Sequence, residues 1–141
     1  MPNYARLVGI DVGTKRCGLA KTDLLKTIAS PVGTFSPEEI IIEISRIVEE
    51  SQVEGFVVGW PLTPNGEEGK ATKMVQEFIN RLKNLYPSIP VTKIDERYTS
   101  NNAKDLMLEI GVPKKKRKQK SRVDRIAAAL ILQNYLDSQQ L

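Results

Sequence analysis

The chain has 141 residues, 40% of them hydrophobic and 27% charged, which predicts a single domain over 1–141 with a core that needs no staples. Histidine is absent and cysteine occurs once, which excludes Ser–His–Asp and Cys–His catalysis, internal disulfides and histidine- or cysteine-caged zinc. A net charge of +4 favours an anionic partner, of which nucleic acid is the commonest.

Any acid–base or metal chemistry must therefore fall on Asp, Glu, Lys or Tyr. A metal held by carboxylates would be a hard cation, Mg2+ or Mn2+. No apolar run approaches the roughly 18 residues of a membrane span. Met1 to Gly9 lacks the charged, apolar and small-residue segments of a signal peptide. The expectation is a cytoplasmic protein.

In chain order, Arg6 to Asp11 is an apolar run ending on an acid, and a turn at Gly13-Thr14-Lys15-Arg16 follows. Cys17 to Lys21 resumes a strand pattern. Ile28 to Phe35 is a third extended stretch, and Pro31 within it predicts an edge position or a bulge. Together these three read as a β-meander. Ser36-Pro37-Glu38-Glu39 then starts a helix, with serine as cap, proline at the first position and glutamate at the capping-box position. Ile40, Ile44, Ile47 and Val48 follow at helical spacing.

Gly55 to Gly59 reads as a short buried strand. Ala71, Met74, Val75, Phe78, Ile79, Leu82 and Leu85 form the strongest helical stripe in the chain. Pro90 to Ile94 is another strand, closed by Asp95-Glu96. A helix over about 101–110 stops at Gly111 and Pro113. Lys114, Lys115, Lys116, Arg117, Lys118 and Lys120 then place six cations in seven positions. A final helix runs from about Arg122 to Tyr135, with Val123, Ile126, Ala127, Leu130 and Ile131 predicted inward. The order βββ-α-β-α-β-α-α implies an α/β fold: a mixed five-stranded sheet, antiparallel at first and then parallel, flanked by helices.

The chemistry concentrates on acids at strand ends. Asp11 closes the first strand, Asp95 and Glu96 the last, and Asp124 falls in the first turn of the final helix. Carboxyl ends of strands are where α/β sheets open a crevice. Carboxylates gathered there repel unless a cation lies between them. Two such cations about 3.5–4 Å apart can align water, phosphate and leaving oxygen for hydrolysis. Each acid also has a plain structural explanation. Asp11 before Gly13 suits an Asx turn. Asp95 and Glu96 suit a solvated strand end. Ser121-Arg122-Val123-Asp124 is itself a capping-box sequence.

Four ordered blocks carry a resemblance that spacing alone does not supply. They are Gly9-Ile10-Asp11-Val12-Gly13-Thr14-Lys15-Arg16-Cys17-Gly18, Gly59-Trp60-Pro61-Leu62 with Asn65-Gly66, Asp95-Glu96-Arg97-Tyr98-Thr99-Ser100, and Asp124-Arg125-Ile126-Ala127-Ala128-Ala129 with Ile131-Leu132-Gln133. In this order they resemble the YqgF/RuvX family of ribonuclease H-like proteins, over nearly the whole chain. The one departure noticed is Cys17, where an aliphatic residue is usual.

The resemblance implies a ribonuclease H-like three-layer fold and a metal-dependent nuclease with Asp11, Glu96 and Asp124 as catalytic and metal-binding acids. Two Mg2+ or Mn2+ ions are implied with them. Lys15, Arg16 and Arg97 would meet phosphate, Arg97 bidentately. Lys114, Lys115, Lys116, Arg117, Lys118 and Lys120 would track the nucleic-acid backbone. With only Trp60, Tyr98 and Tyr4 placed near a cleft, base stacking should be limited.

The implied substrate is an rRNA precursor, processed at the 5′ end of pre-16S rRNA within a pre-ribosomal particle, by a monomer or weak homodimer. Rival readings are a Holliday junction resolvase acting on branched DNA and a non-catalytic RNA-binding assembly factor. An actin- or sugar-kinase-type phosphate loop at Asp11-Val12-Gly13-Thr14 is disfavoured, because those folds clamp ATP between two such domains.

Overall fold

A computed structural model describes residues 4–96 and 120–139, with side chains in the last stretch described from residue 126 onward. The elements are β1 (Arg6–Asp11), β2 (Cys17–Thr22), β3 (Ala29–Phe35), α1 (Glu39–Glu50), β4 (Val53–Trp60), α2 (Lys70–Leu85), β5 (Val91–Asp95) and α3 (Lys120–Ser138). The helix expected over 101–110 and most of the basic run lie outside the described residues. Among the described residues no helix is long and apolar enough to cross a membrane.

The five strands make one sheet in the order β3-β2-β1-β4-β5. β1, β2 and β3 pair antiparallel, and β4 and β5 join β1 in parallel, as the element order implies. Pro31 meets both halves of its expectation. It lies on the edge strand β3, where its missing N–H costs no ladder bond to a further strand. The pairing also slips there: Gly33 faces Leu19 while Pro31 faces Ala20, leaving Val32 as an extra residue.

Alternation along the strands divides the interior into two layers. Val8 and Ile10 of β1 and Phe56 and Val58 of β4 face α1 and α2, meeting Ile40, Ile44, Val75, Ile79 and Leu82. The intervening Leu7 and Val57 face the other way, with Ala20 and Ala29, onto Ala128, Ala129, Leu132 and Leu136 of α3. Ser36 caps α1 as its sequence suggests, its hydroxyl accepting from the Glu39 N–H at 3.1 Å. In α2 the predicted stripe holds through Val75, Phe78, Ile79 and Leu82, but Ala71 and Leu85 at its ends are exposed. Thr72 takes the buried place in the first turn. Its hydroxyl donates to the Gly69 carbonyl at 2.6 Å and accepts from the Gly69 N–H at 2.8 Å.

The final helix corrects the expectation most. It starts at Lys120 and runs to Ser138, and its buried positions include Ala128, Ala129 and Leu132, whereas Ala127 and Leu130 are only half-buried. Gln133 and Asn134 are buried as well. The Gln133 side chain accepts from the Ala29 N–H of the edge strand at 3.2 Å and donates to Asp137 at 3.1 Å. Ile126 to Leu132 is an unbroken apolar run that covers every side of the helix for about two turns, so periodicity finds no stripe there.

Close approach of α3 to β1 is set by Gly9. A Cβ there would stand 2.8 Å from the Leu132 Cβ and 2.9 Å from the Ala128 carbonyl oxygen, both stiff parts of the helix. Gly→Ala in a strand would otherwise gain stability by limiting the unfolded chain. Here overpacking decides the sign, and Gly9→Ala should destabilise by about 1–3 kcal/mol, read as a lower urea midpoint.

Candidate active site

The site begins with a register. Ile10 of β1 faces Val58 of β4, so the next step along both strands sets Asp11 beside Gly59. On the far side of β4, Gly59 faces Ile94 and Trp60 faces Asp95 of β5. Glu96 follows β5 directly, and its N–H donates to the Trp60 carbonyl at 3.3 Å. Two strand spacings, about 9–10 Å, therefore separate the backbones that carry Asp11 and Glu96. The Glu96 side chain crosses that gap over Gly59 and hydrogen-bonds with the Asp11 carboxyl group. A longer acid on the further strand is what the distance requires.

Burial pushes the Glu96 carboxyl up to about 8, helped by the hydrogen bond with Asp11 and by the charges of Asp11 and Asp95. At neutral pH it keeps its proton and donates it to Asp11. Two carboxyl groups that face each other form a place where a cation could sit between them. The donors are all oxygen, which fits a hard cation such as Mg2+ or Mn2+. No group of three or more potential metal-ligating residues occurs among the described residues.

The third acid is placed by its backbone. Leu136 lies with Leu7 at the start of β1, while Ala128 and Leu132 lie against Gly9. α3 thus runs antiparallel to β1. Asp124 is one turn before Ala128, about 6 Å along the helix, and Asp11 is two residues beyond Gly9, about 6–7 Å along the strand. Position 124 therefore comes level with the Asp11 end of the sheet. Ser121 and Asp124 both lie inside a helix that has already begun at Lys120, so the capping-box explanation of Asp124 loses its boundary.

Lys15 and Arg16 are exposed in the turn between β1 and β2, four and five residues beyond Asp11. Gly13 packs that turn so tightly that a Cβ would collide with the Arg16 carbonyl oxygen. Arg97, Lys114, Lys115, Lys116, Arg117 and Lys118 lie outside the described residues. Lys120 opens α3. Cys17 is buried, its thiol donating to the Gly13 carbonyl at 3.8 Å and held above its ordinary pKa by burial, so it acts as a small core hydrophobe.

The aromatic residues sort differently from expectation. Trp60 adjoins the site through its backbone, but Lys93 sits 3.9 Å from its ring centroid and donates to Gln76 at 2.8 Å, covering one face of the indole. Tyr4 is at the wrong end: it precedes β1, about 23 Å of strand away from Asp11. Tyr98 lies outside the described residues. Sequence reasoning also missed what Gly59 does. Its signal was the Gly59-Trp60-Pro61 block, but the contact with Glu96 needs the strand order.

Comparison with known proteins gives the family and the fold. A protein of Salinibacter ruber, carrying the provisional name pre-16S rRNA nuclease, is 45% identical over 137 residues, covering 97% of this chain and 96% of that one. A Chlorobium phaeobacteroides protein of the same name is 44% identical over 133 residues, 94% and 92% of the two chains. Among solved structures, Thermus thermophilus RuvC in complex with a Holliday junction covers 96% of each chain, with a TM-score of 0.56 and 13% identity. That likeness shows the fold, which is ribonuclease H-like. The sequence from residue 5 to residue 138 matches the RuvX family, described as Holliday junction resolvase, and the chain belongs to that family.

Proposed function

We propose that this protein is a metal-dependent nuclease, folded as a single domain, that hydrolyses phosphodiester bonds at a centre made of Asp11, Glu96 and Asp124. The observation that carries the reading is the pair of carboxyl groups, Asp11 and Glu96, hydrogen-bonded to each other across β4 at the carboxyl ends of the strands. A fold without histidine has few other ways to activate water at neutral pH. Mg2+ or Mn2+ held by these acids, with two ions the expected number, would supply Lewis-acid polarisation of phosphate and a bound water of lowered pKa.

The names of the relatives at 44–45% identity favour a pre-16S rRNA substrate. Processing at its 5′ end, as a step of ribosome biogenesis in the cytoplasm, is the reading we attach to that substrate. The family description favours branched DNA as the second reading. Lys15, Arg16 and Arg97 would bind the phosphates beside the cut. Lys114, Lys115, Lys116, Arg117, Lys118 and Lys120 would hold the backbone further along.

Cleavage of a labelled 16S rRNA precursor and of a four-way DNA junction, each with Mg2+, Mn2+ or EDTA, tests the assignment. Metal-dependent cuts in the RNA alone support the processing nuclease. Cuts in the junction alone move the substrate to DNA, and binding of either without any cut would leave only an assembly factor.

A further inference from the structure

Gly59 stands under the one side chain that spans the site. A Cβ on Gly59 would lie 2.6 Å from Ile131 Cδ1 and 2.9 Å from Glu96 Cδ, and closer still to Glu96 Oε1. Its neighbours therefore differ in kind from those of Gly9, which are a helix Cβ and a backbone carbonyl. At Gly59 the obstructing atoms are the far ends of two side chains. They can swing aside at small cost to the fold, but one of them is the carboxyl group that meets Asp11. The same methyl elsewhere on the strand meets nothing of this sort: Gly55 faces Leu7 Cδ2 at 3.2 Å and the Pro90 carbonyl at 3.7 Å.

We propose that Gly59 is a positioning residue: its missing side chain keeps open the passage over β4 through which Glu96 reaches Asp11. The inference rests on the metal-centre reading above and adds a residue that touches no substrate. Steric exclusion alone carries it. Any side chain at 59 lifts the Glu96 carboxyl group from the place where it and Asp11 converge, and so separates the two acids a cation would need together. A strand residue of purely structural importance would lower stability and leave metal affinity alone.

The test is Mn2+ binding by calorimetry, beside melting temperatures without metal, for the wild type, Gly59→Ala, Gly55→Ala, Ile131→Val and the double variant Gly59→Ala/Ile131→Val. Ile131→Val removes the aliphatic obstacle and leaves only the one with Glu96. The expected result is a double variant that melts within a few degrees of Ile131→Val yet binds Mn2+ at least about tenfold more weakly, the effect typical of disturbing groups that orient a ligand. Gly55→Ala should bind as the wild type does. Equal Mn2+ affinity in the double variant and Ile131→Val would overturn the proposal. So would a double variant that does not fold, because the cost of the methyl would then fall on the fold rather than on the carboxyl group. No Mn2+ binding by the wild type would overturn the metal centre itself, and the positioning role with it.

Discussion

Asp11→Asn is expected to melt higher than the wild type in the absence of metal and to cleave at least about a hundredfold more slowly in its presence. The loss follows if Asp11 is the metal ligand proposed above, since disturbing even the groups behind a metal ligand typically costs 10–100-fold. The gain in stability follows from Glu96. Its folded pKa of about 8 lies above the ordinary 4.5, so the native state holds a proton that the unfolded chain releases between those values. The contribution of Glu96 to the stability of the metal-free protein is therefore fully present below about pH 4.5, falls as pH rises to about 8, and is level above that. An asparagine at position 11 donates a hydrogen bond to an ionised Glu96 and carries no charge of its own. The slope becomes shallower, though burial, the largest cause of the shift, remains. Melting curves at pH 5 and pH 9 check this: the variant's advantage should be larger at pH 9. Mg2+ should raise the wild-type melting temperature more than the variant's, because only the wild type keeps both acids at the site. Equal shifts would mean that the ion binds somewhere else.

Replacing Lys114, Lys115, Lys116, Arg117, Lys118 and Lys120 together with glutamine should cost the most in binding. Each cation that neutralises a phosphate releases condensed counterions, so affinity falls with salt at a slope of roughly 0.7–0.9 per contact. If all six make such contacts, the wild type should lose on the order of a few hundred- to a thousandfold in affinity between 50 and 200 mM salt. The glutamine variant should bind weakly at low salt and show a much flatter dependence. Its cleavage rate at saturating nucleic acid should stay near the wild-type value, since none of the six is among the acids. Filter binding across a salt series separates the two effects. An unchanged slope would show that the run is only a solvated segment.

How much of this could be read from the chain varies by element, for physical reasons. β1 to β3 were legible because turn residues punctuate them, and Pro31 announced its own edge position. α1 was legible because one side is solvated and Ile40, Ile44 and Ile47 repeat on the other. α3 was legible as a helix but not in its orientation, because it is packed along most of its surface and even Gln133 and Asn134 are buried. Of the site, Asp11 and Glu96 stood out as acids at strand ends, while the resemblance supplied the grouping with Asp124. What spacing could not show is that β4 lies between Asp11 and Glu96. That fact depends on strand order, and it turns Gly59 from the end of a buried strand into the floor of the site. Tyr4 was misplaced for the same reason: nearness in sequence to Asp11 says nothing about which end of the strand a residue occupies.

The antiparallel seating of α3 also sets the order in which the layers can close. Leu7, Ala20 and Ala29 wait for Ala128, Leu132 and Leu136, and the hydrogen bond from Ala29 to Gln133 closes a separation of 104 residues. Synthesis delivers the strands first. Asp11 is therefore made well before α3, and Leu7, Ala20, Val57 and Ala29 lack their α3 partners until that helix follows.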